Sequence, residues 1–450
     1  MHKIFVRDKS FYKLILTLAI PVVLQNMITI GVNIMDTMML GSYGEVQISG
    51  SSLANEFINI FQILCMGMGG GAAVLTAQYW GRGDVGSLKK VVTIMLRVGV
   101  AVAAAFALVT WIWPDALMRL YTPDAAIIEK GVLYFRISAP CYLLMAVSLT
   151  LTIVLRSVHL VRLPLIAAIV SFVVNIFFNW VFIFGNLGAP EMQIEGAALG
   201  TLIARTAEFG IIAGYFLFAD QRVGYRLRDL VAKCGDHVRT FFTYSLPVIV
   251  SDTLLALGNN MVAIIVGHIG ASFVAANAII AQTVKLSTVF NQGLSNAASI
   301  VTGNTLGKGE RETAYRQGVS FTALSVLIGL AAAGILLAIT PAIINGFNIT
   351  QETRDIAFQL MMAVSVMVIF QTMQGVLTKG VLRGGGDTKF LMIADVAFLW
   401  LASVPLGYLA GLVWSWPPFW IYTALKIDWA IKSIWCLFRL KSKKWIRVVE

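Results

Sequence analysis

Between Ala19 and Gly44 the chain reads AIPVVLQNMITIGVNIMDTMMLGSYG, an apolar stretch of membrane length that carries one carboxylate, Asp36. An ionisable side chain inside such a stretch is costly and marks a functional site by default. At about 100° per residue, Gln25, Thr29, Asn33 and Asp36 fall within roughly one quadrant of a helix, so the stretch has a single polar stripe. A carboxylate near a helix C-terminus also faces the negative end of the helix dipole and calls for a compensating cation, proton or donor. Other apolar stretches carry stripes of their own. Asn55, Asn59 and Gln62 are spaced i, i+4, i+7, while Gln282, Lys285, Gln292, Asn296 and Ser299 share one side. Such stripes turn to a protein interior or a watery cavity, or bond neighbouring helices together. Lys285 lies too deep in its helix to reach water by extending its side chain. It is expected to point into a cavity near Asp252.

The elements that hold these residues must be membrane helices. Hydrophobic residues make up 58% of the chain and charged residues 13%, against about 25% charged in ordinary soluble domains. Twelve apolar runs are long enough to span a bilayer: 11–39, 47–80, 90–113, 130–155, 163–185, 195–219, 240–267, 272–306, 314–340, 353–381, 389–412 and 417–438. The fold class is therefore an all-α polytopic membrane protein. The first run lacks a small-residue cleavage pattern and reads as a retained helix. With the N-terminus inside, the outer loops hold only Arg119, Lys130 and Arg354, and the inner loops and termini hold most of the remaining Lys and Arg. This asymmetry places both termini in the cytoplasm. It also accounts for the net charge of +11 without nucleic acid.

The chain repeats itself. Pro21 falls on Pro247, Asn33 on Asn259, Gly41 on Gly267, Gly67 on Gly293, and Gly81-Arg-Gly-Asp84 on Gly307-Lys-Gly-Glu310. An even number of helices separates equivalent positions, so the halves share one orientation, as in transporters built from parallel repeats. Residues 1–218 form an N-lobe, the basic stretch 219–239 a cytoplasmic linker, and 240–450 a C-lobe with a basic tail. Asp36 has no acidic counterpart, since its equivalent is Val262.

Cys65, Cys141, Cys234 and Cys436 and the four histidines have neither disulfide nor metal-ligand spacing. Gly67-Met-Gly-Gly-Gly71 follows no strand and precedes no Lys-Ser/Thr, so it is not a nucleotide-binding loop. Neither a primary pump nor an intramembrane enzyme is expected, and no cofactor.

Four segments in order carry a resemblance. They are Pro21 with Asp36-Thr-Met-Met-Leu-Gly41, Gln78-Tyr-Trp-Gly-Arg-Gly-Asp84, Asn175-Ile-Phe-Phe-Asn179-Trp-Val-Phe-Ile-Phe-Gly185, and Leu382-Arg-Gly-Gly-Gly-Asp-Thr-Lys389. The chain resembles the multidrug and toxic compound extrusion (MATE) family of cation-coupled exporters over nearly its whole length. The resemblance implies a bacterial inner-membrane antiporter with a cation site at Asp36, Asn33, Asn175 and Asn179. Pro21 would permit a bend in the first helix. If the ion is Na⁺ rather than H⁺, Asp36, Asn175 and Asn179 are its ligands; the i, i+4 asparagines share a face and offer amide oxygens. NorM-like relatives place carboxylates where this chain has Leu255 and Thr372, so it looks DinF-like with NorM-like asparagines.

The expectation is a monomeric secondary exporter of amphipathic, often cationic, organic compounds, surrounded by membrane lipid. Gln25, Thr29, Asn55, Asn59, Gln62, Asp252, Asn259, Gln282, Lys285, Gln292 and Asn296 are its candidate cavity residues. A flippase for a lipid-linked precursor is the alternative that the same architecture serves.

Overall fold

Helix ends fall where the sequence supplies caps. Asp84 accepts from the Ser87 amide at 3.0 Å, Asp124 from the Ala126 amide at 2.9 Å, and Thr350 from the Thr353 amide at 3.3 Å. These side chains take up amides that a first helical turn leaves unbonded. Gly185 ends its helix in the left-handed region at φ 69°, a conformation glycine adopts without steric cost.

The computed structural model describes residues 5–346 and 349–449, without the side chains at 282 and 286, so the candidate Gln282 lies outside the described side chains. Twelve segments answer to the expected runs; among the described residues all but the last are long and apolar enough to cross a membrane, and no strand occurs among those residues. They are α1 (Lys9–Gly41), α2 (Glu45–Arg82), α3 (Val85–Ile112), α4 (Ala125–Ser138 with Cys141–Ser157), α5 (Arg162–Phe184) and α6 (Ile194–Ala219). The second set is α7 (Gly235–Ile269), α8 (Ala271–Gly307), α9 (Arg311–Asn345), α10 (Gln351–Leu382), α11 (Thr388–Val413) and α12 (Pro418–Leu425 with Ile427–Lys441).

Two segments expected as unbroken runs are not. α4 bends by 56° between its two helices, where Pro140 removes a backbone donor. α12 breaks at Lys426, whose backbone leaves the helix at φ −120°, ψ 15°. That break has no proline or glycine at its centre.

The chain forms two compact units that are not contiguous in sequence. Unit 1 comprises residues Met1–Val23, Ala77–Gly83 and Tyr244–Glu450, and unit 2 comprises Leu24–Thr76 and Asp84–Thr243. α1 therefore passes from one unit to the other between Val23 and Leu24, three residues after Pro21. The proline offers no N–H to the carbonyl four residues earlier.

Unit 2 is centred on aromatic contacts, with Phe61 edge-on to Tyr142 at 5.1 Å between ring centroids. Close helix approach depends on glycine: a Cβ at Gly196 would strike the Phe182 backbone of α5, and one at Gly69 the Ile153 side chain. Small residues of this kind let membrane helices meet backbone to backbone. The basic stretch after α6 is tied to α3. Lys89 reaches the Gly224 carbonyl at 2.6 Å and Asp229 at 3.3 Å, and Tyr225 meets Thr93 at 2.8 Å.

Unit 1 has an apolar cluster around Phe273, Leu360, Val364 and Tyr422. It also buries an ionic group: Lys432 lies 2.9 Å from Asp428 and 3.4 Å from Asp395, each side chain 3–4% exposed. Ser251 donates to Asp395 and Ser403 to Asp428, at 3.0 and 2.8 Å. At another place in unit 1 the Gln78 side chain receives the Val449 amide at 2.8 Å and donates to the Arg447 carbonyl at 3.0 Å. Arg82 donates to the Val449 carbonyl, and Trp445, fully buried, lies on Gly385.

Candidate functional site

The polar residues of unit 2 converge at Asp36. On α5, Asn175 and Asn179 lie one turn apart, 1% and 0% exposed. Asn179 Nδ2 donates to Asp36 Oδ1 at 2.5 Å and lies 3.3 Å from Asn175 Oδ1. Asn175 Nδ2 in turn reaches Thr201 Oγ1 of α6 at 3.4 Å. The result is a chain of polar groups from a half-buried carboxylate through two amides to a hydroxyl. Asn179 Oδ1 is buried without a hydrogen-bond partner among the described residues. A buried carbonyl oxygen left unbonded costs about 1–3 kcal/mol, and a cation or a proton carried by Asp36 would relieve that cost. One carboxylate flanked by neutral amide and hydroxyl oxygens suits a monovalent ion. Among the described residues no group of three or more His, Cys, Asp or Glu could hold a multivalent metal.

Sequence reading missed the residue that makes room for this arrangement. Gly200 of α6 faces Asn179, and a Cβ there would overlap Asn179 Oδ1. Nothing in the pattern around Gly200 distinguishes it from other small residues of its helix.

Other candidates lie elsewhere. Gln25 is buried, but its Oε1 accepts from Arg156 Nη2 of α4. Thr29 Oγ1 donates to the Gln25 carbonyl at 3.0 Å. Eleven residues of helix separate Gln25 from Asp36, about 16 Å, so the polar stripe of α1 serves two places. Asn33 is exposed; Asn55 and Asn59 are exposed, with Asn55 bonded to its own helix at the Ser51 carbonyl, and Gln62 is half-buried. Asn33, expected at the cation site, makes no side-chain hydrogen bond to Asp36 among the described contacts.

In unit 1, Asp252 meets Arg383 at 3.5 Å rather than Lys285. Arg383 stands just after Val376–Leu382, where α10 widens to i→i+5 bonding, a local form common at functional positions. Lys285 instead lines a cavity of about 610 Å³ with Asn259, Lys426 and Trp429. On α8, Gln292 is exposed and Asn296 donates to its carbonyl at 2.9 Å. A buried amide of that helix, Asn291, donates to the Gln371 carbonyl at 3.2 Å. Arg205 and Glu208 of α6 close on each other at 2.7 Å.

The MatE family profile matches residues 21–181 and again 247–409, so its two copies begin on Pro21 and Pro247, the pair that opens the internal repeat. The chain belongs to the MatE family. The probable multidrug resistance protein NorM of Agrobacterium fabrum is 25% identical over 432 residues, covering 90% of each chain. Multidrug resistance protein MdtK of Yersinia enterocolitica is 24% identical over 416 residues, covering 92% of this chain and 89% of its own. A Vibrio cholerae MATE transporter structure superposes with a TM-score of 0.87 at 15% identity, over 97% of this chain and 98% of that one. This MatE protein is thus an integral membrane transporter with the twelve-helix architecture of its family. The site at Asp36 lies within the first of its two family repeats.

Proposed function

We propose that this protein is a secondary exporter of amphipathic, often cationic, organic compounds, coupled to H⁺ or Na⁺ influx by alternating access. Asp36 is the coupling carboxylate. The observation that carries the reading is the Asp36–Asn179–Asn175 chain, which holds one carboxylate beside a buried, unbonded amide oxygen. Binding the ion from the outer side neutralises Asp36 and completes the coordination of the Asn179 oxygen. The ion shifts the lobes only insofar as it binds one conformation better than the other. The expected lobes, 1–218 and 240–450, rock about the repeat axis, and Pro21 supplies the bend in α1 as the state changes. Both termini face the cytoplasm of a bacterial cell, and the protein acts as a monomer in its inner membrane.

The test is drug transport in proteoliposomes under imposed pH or Na⁺ gradients, for the native chain and for Asp36→Asn. The native chain exports an organic cation only when a gradient is present, and Asp36→Asn loses that dependence. Gradient-driven export that survives the substitution overturns the role of Asp36. Lipid scrambling without export of any organic cation would support the flippase reading instead.

A further inference from the structure

The cavity in unit 1 has a charge opposite to that of Asp36. It is enclosed by α7, α8 and α12, and its charged lining residues are Lys285 and Lys426, with no carboxylate among those that line it. Lys285 stands fourteen residues into α8, about 21 Å along the helix, and has no ion-pair partner among the described residues. Lys426 occupies the break in α12, about 12 Å from the start of that segment. Its ammonium has the Asn259 side chain at 3.5 Å and the Trp429 ring at 5.2 Å. Asp252 pairs with Arg383 and Asp395 with Lys432, while Asp428 pairs with Lys432 and also interacts electrostatically with Lys426, two residues away; Lys285 has none of these carboxylates as an ion-pair partner. Two ammonium groups at one cavity, deep in an apolar segment, create a strong local preference for an anion. The rest of the lining is mainly aliphatic and aromatic, including Val284 and Tyr422, and the volume is that of a drug-sized molecule.

We infer that this cavity binds an amphipathic organic anion, with its acidic group between Lys285 and Lys426 and its apolar body against the Trp429 side. A cationic compound entering here would meet two like charges, so the site selects against the cationic class that the proposed function exports. A soluble carboxylate and an anionic lipid share this chemistry, and the soluble carboxylate is the ligand assigned here because a volume of about 610 Å³ is that of a drug-sized molecule. The inference concerns equilibrium binding and stands apart from ion-coupled export, so either can fail without the other.

The probe is 1-pyrenebutyrate, titrated against the full-length protein in phosphatidylcholine nanodiscs without any gradient, alongside its neutral methyl ester. Saturable binding of the carboxylate is expected, with the ester at least tenfold weaker. Lys426→Met and Lys285→Met should each weaken the carboxylate about tenfold and leave the ester unchanged, whereas Lys426→Arg should retain binding. Equal affinity for acid and ester, which needs no variant to observe, overturns the proposal, as does unchanged carboxylate binding in both methionine variants. Loss of probe binding when phosphatidylglycerol replaces part of the phosphatidylcholine at constant salt reassigns the cavity to lipid and overturns the soluble ligand.

Discussion

At the scale of single residues, the site at Asp36 depends as much on an absent side chain as on those present. Gly200→Ala would force Asn179 away from Asp36 because the new methyl occupies the position of Asn179 Oδ1. Gradient-driven export should fall at least tenfold in this variant while the helical circular dichroism is retained, and Gly196 supplies no substitute because it meets the Phe182 backbone instead. In unit 1, Lys432→Met would leave Asp395 and Asp428 buried together without their shared cation. Removing one member of a buried ionic group costs about 3–5 kcal/mol, so thermal unfolding in detergent should show a clearly lowered midpoint. Asp36 stood out in the sequence as a carboxylate in an apolar segment, whereas Asn175 and Asn179 were implied by the family resemblance; the structure brings the three side chains together. The role of Gly200 was not legible in the sequence, since a close approach is a property of two helices. Nor were the partnerships of Asp252 with Arg383 and of Gln25 with Arg156, which are set over 131 residues by tertiary packing.

Among the elements, eleven of the twelve expected spans are long and apolar enough to cross a membrane, with ends within about five residues of the observed helices. The two breaks were not equally readable. Pro140 announces the bend in α4, but nothing in local propensity announces the one at Lys426. Pro21 invites a direct test: Pro21→Ala restores a donor to α1 and should hold the helix straight, slowing export without loss of fold. The stretch after α6 offers another. Burial alone would raise the Asp229 carboxyl, but the Arg226 amide and the Lys89 ammonium outweigh it and hold the group below its usual range. A lowered carboxyl stabilises the folded form above its unfolded value, and that contribution disappears as the pH falls through the lowered value. The tie between this stretch and α3 should therefore persist at neutral pH and loosen below about pH 4. Cleavage by pepsin within 222–233 should increase there, and Asp229→Asn should show the increase already at higher pH.

For the molecule as a whole, the repeat predicts two similar halves, yet the two carry different chemistry. The first holds the carboxylate, and the second holds paired lysines where the repeat partner of Asp36, Val262, lines the cavity. Duplication preserved the glycines and prolines that shape the backbone, and these positions were what made the repeat visible. The charges diverged and could be placed only by the structure.

The contacts of Gln78 bear on how the protein is made. Its side chain bonds Val449 and Arg447, 371 and 369 residues later in the chain. A ribosome working from the N-terminus inserts α1 and α2 first, and unit 1 receives its pieces from both ends of that process. The Gln78 end of α2 must therefore wait for these two partners while the later spans are threaded into the bilayer. Completion of unit 1 thus waits on the last residues made: a chain cut before Arg447 would carry the apolar spans and still lack the bonds that Gln78 and Arg82 make to Arg447 and Val449.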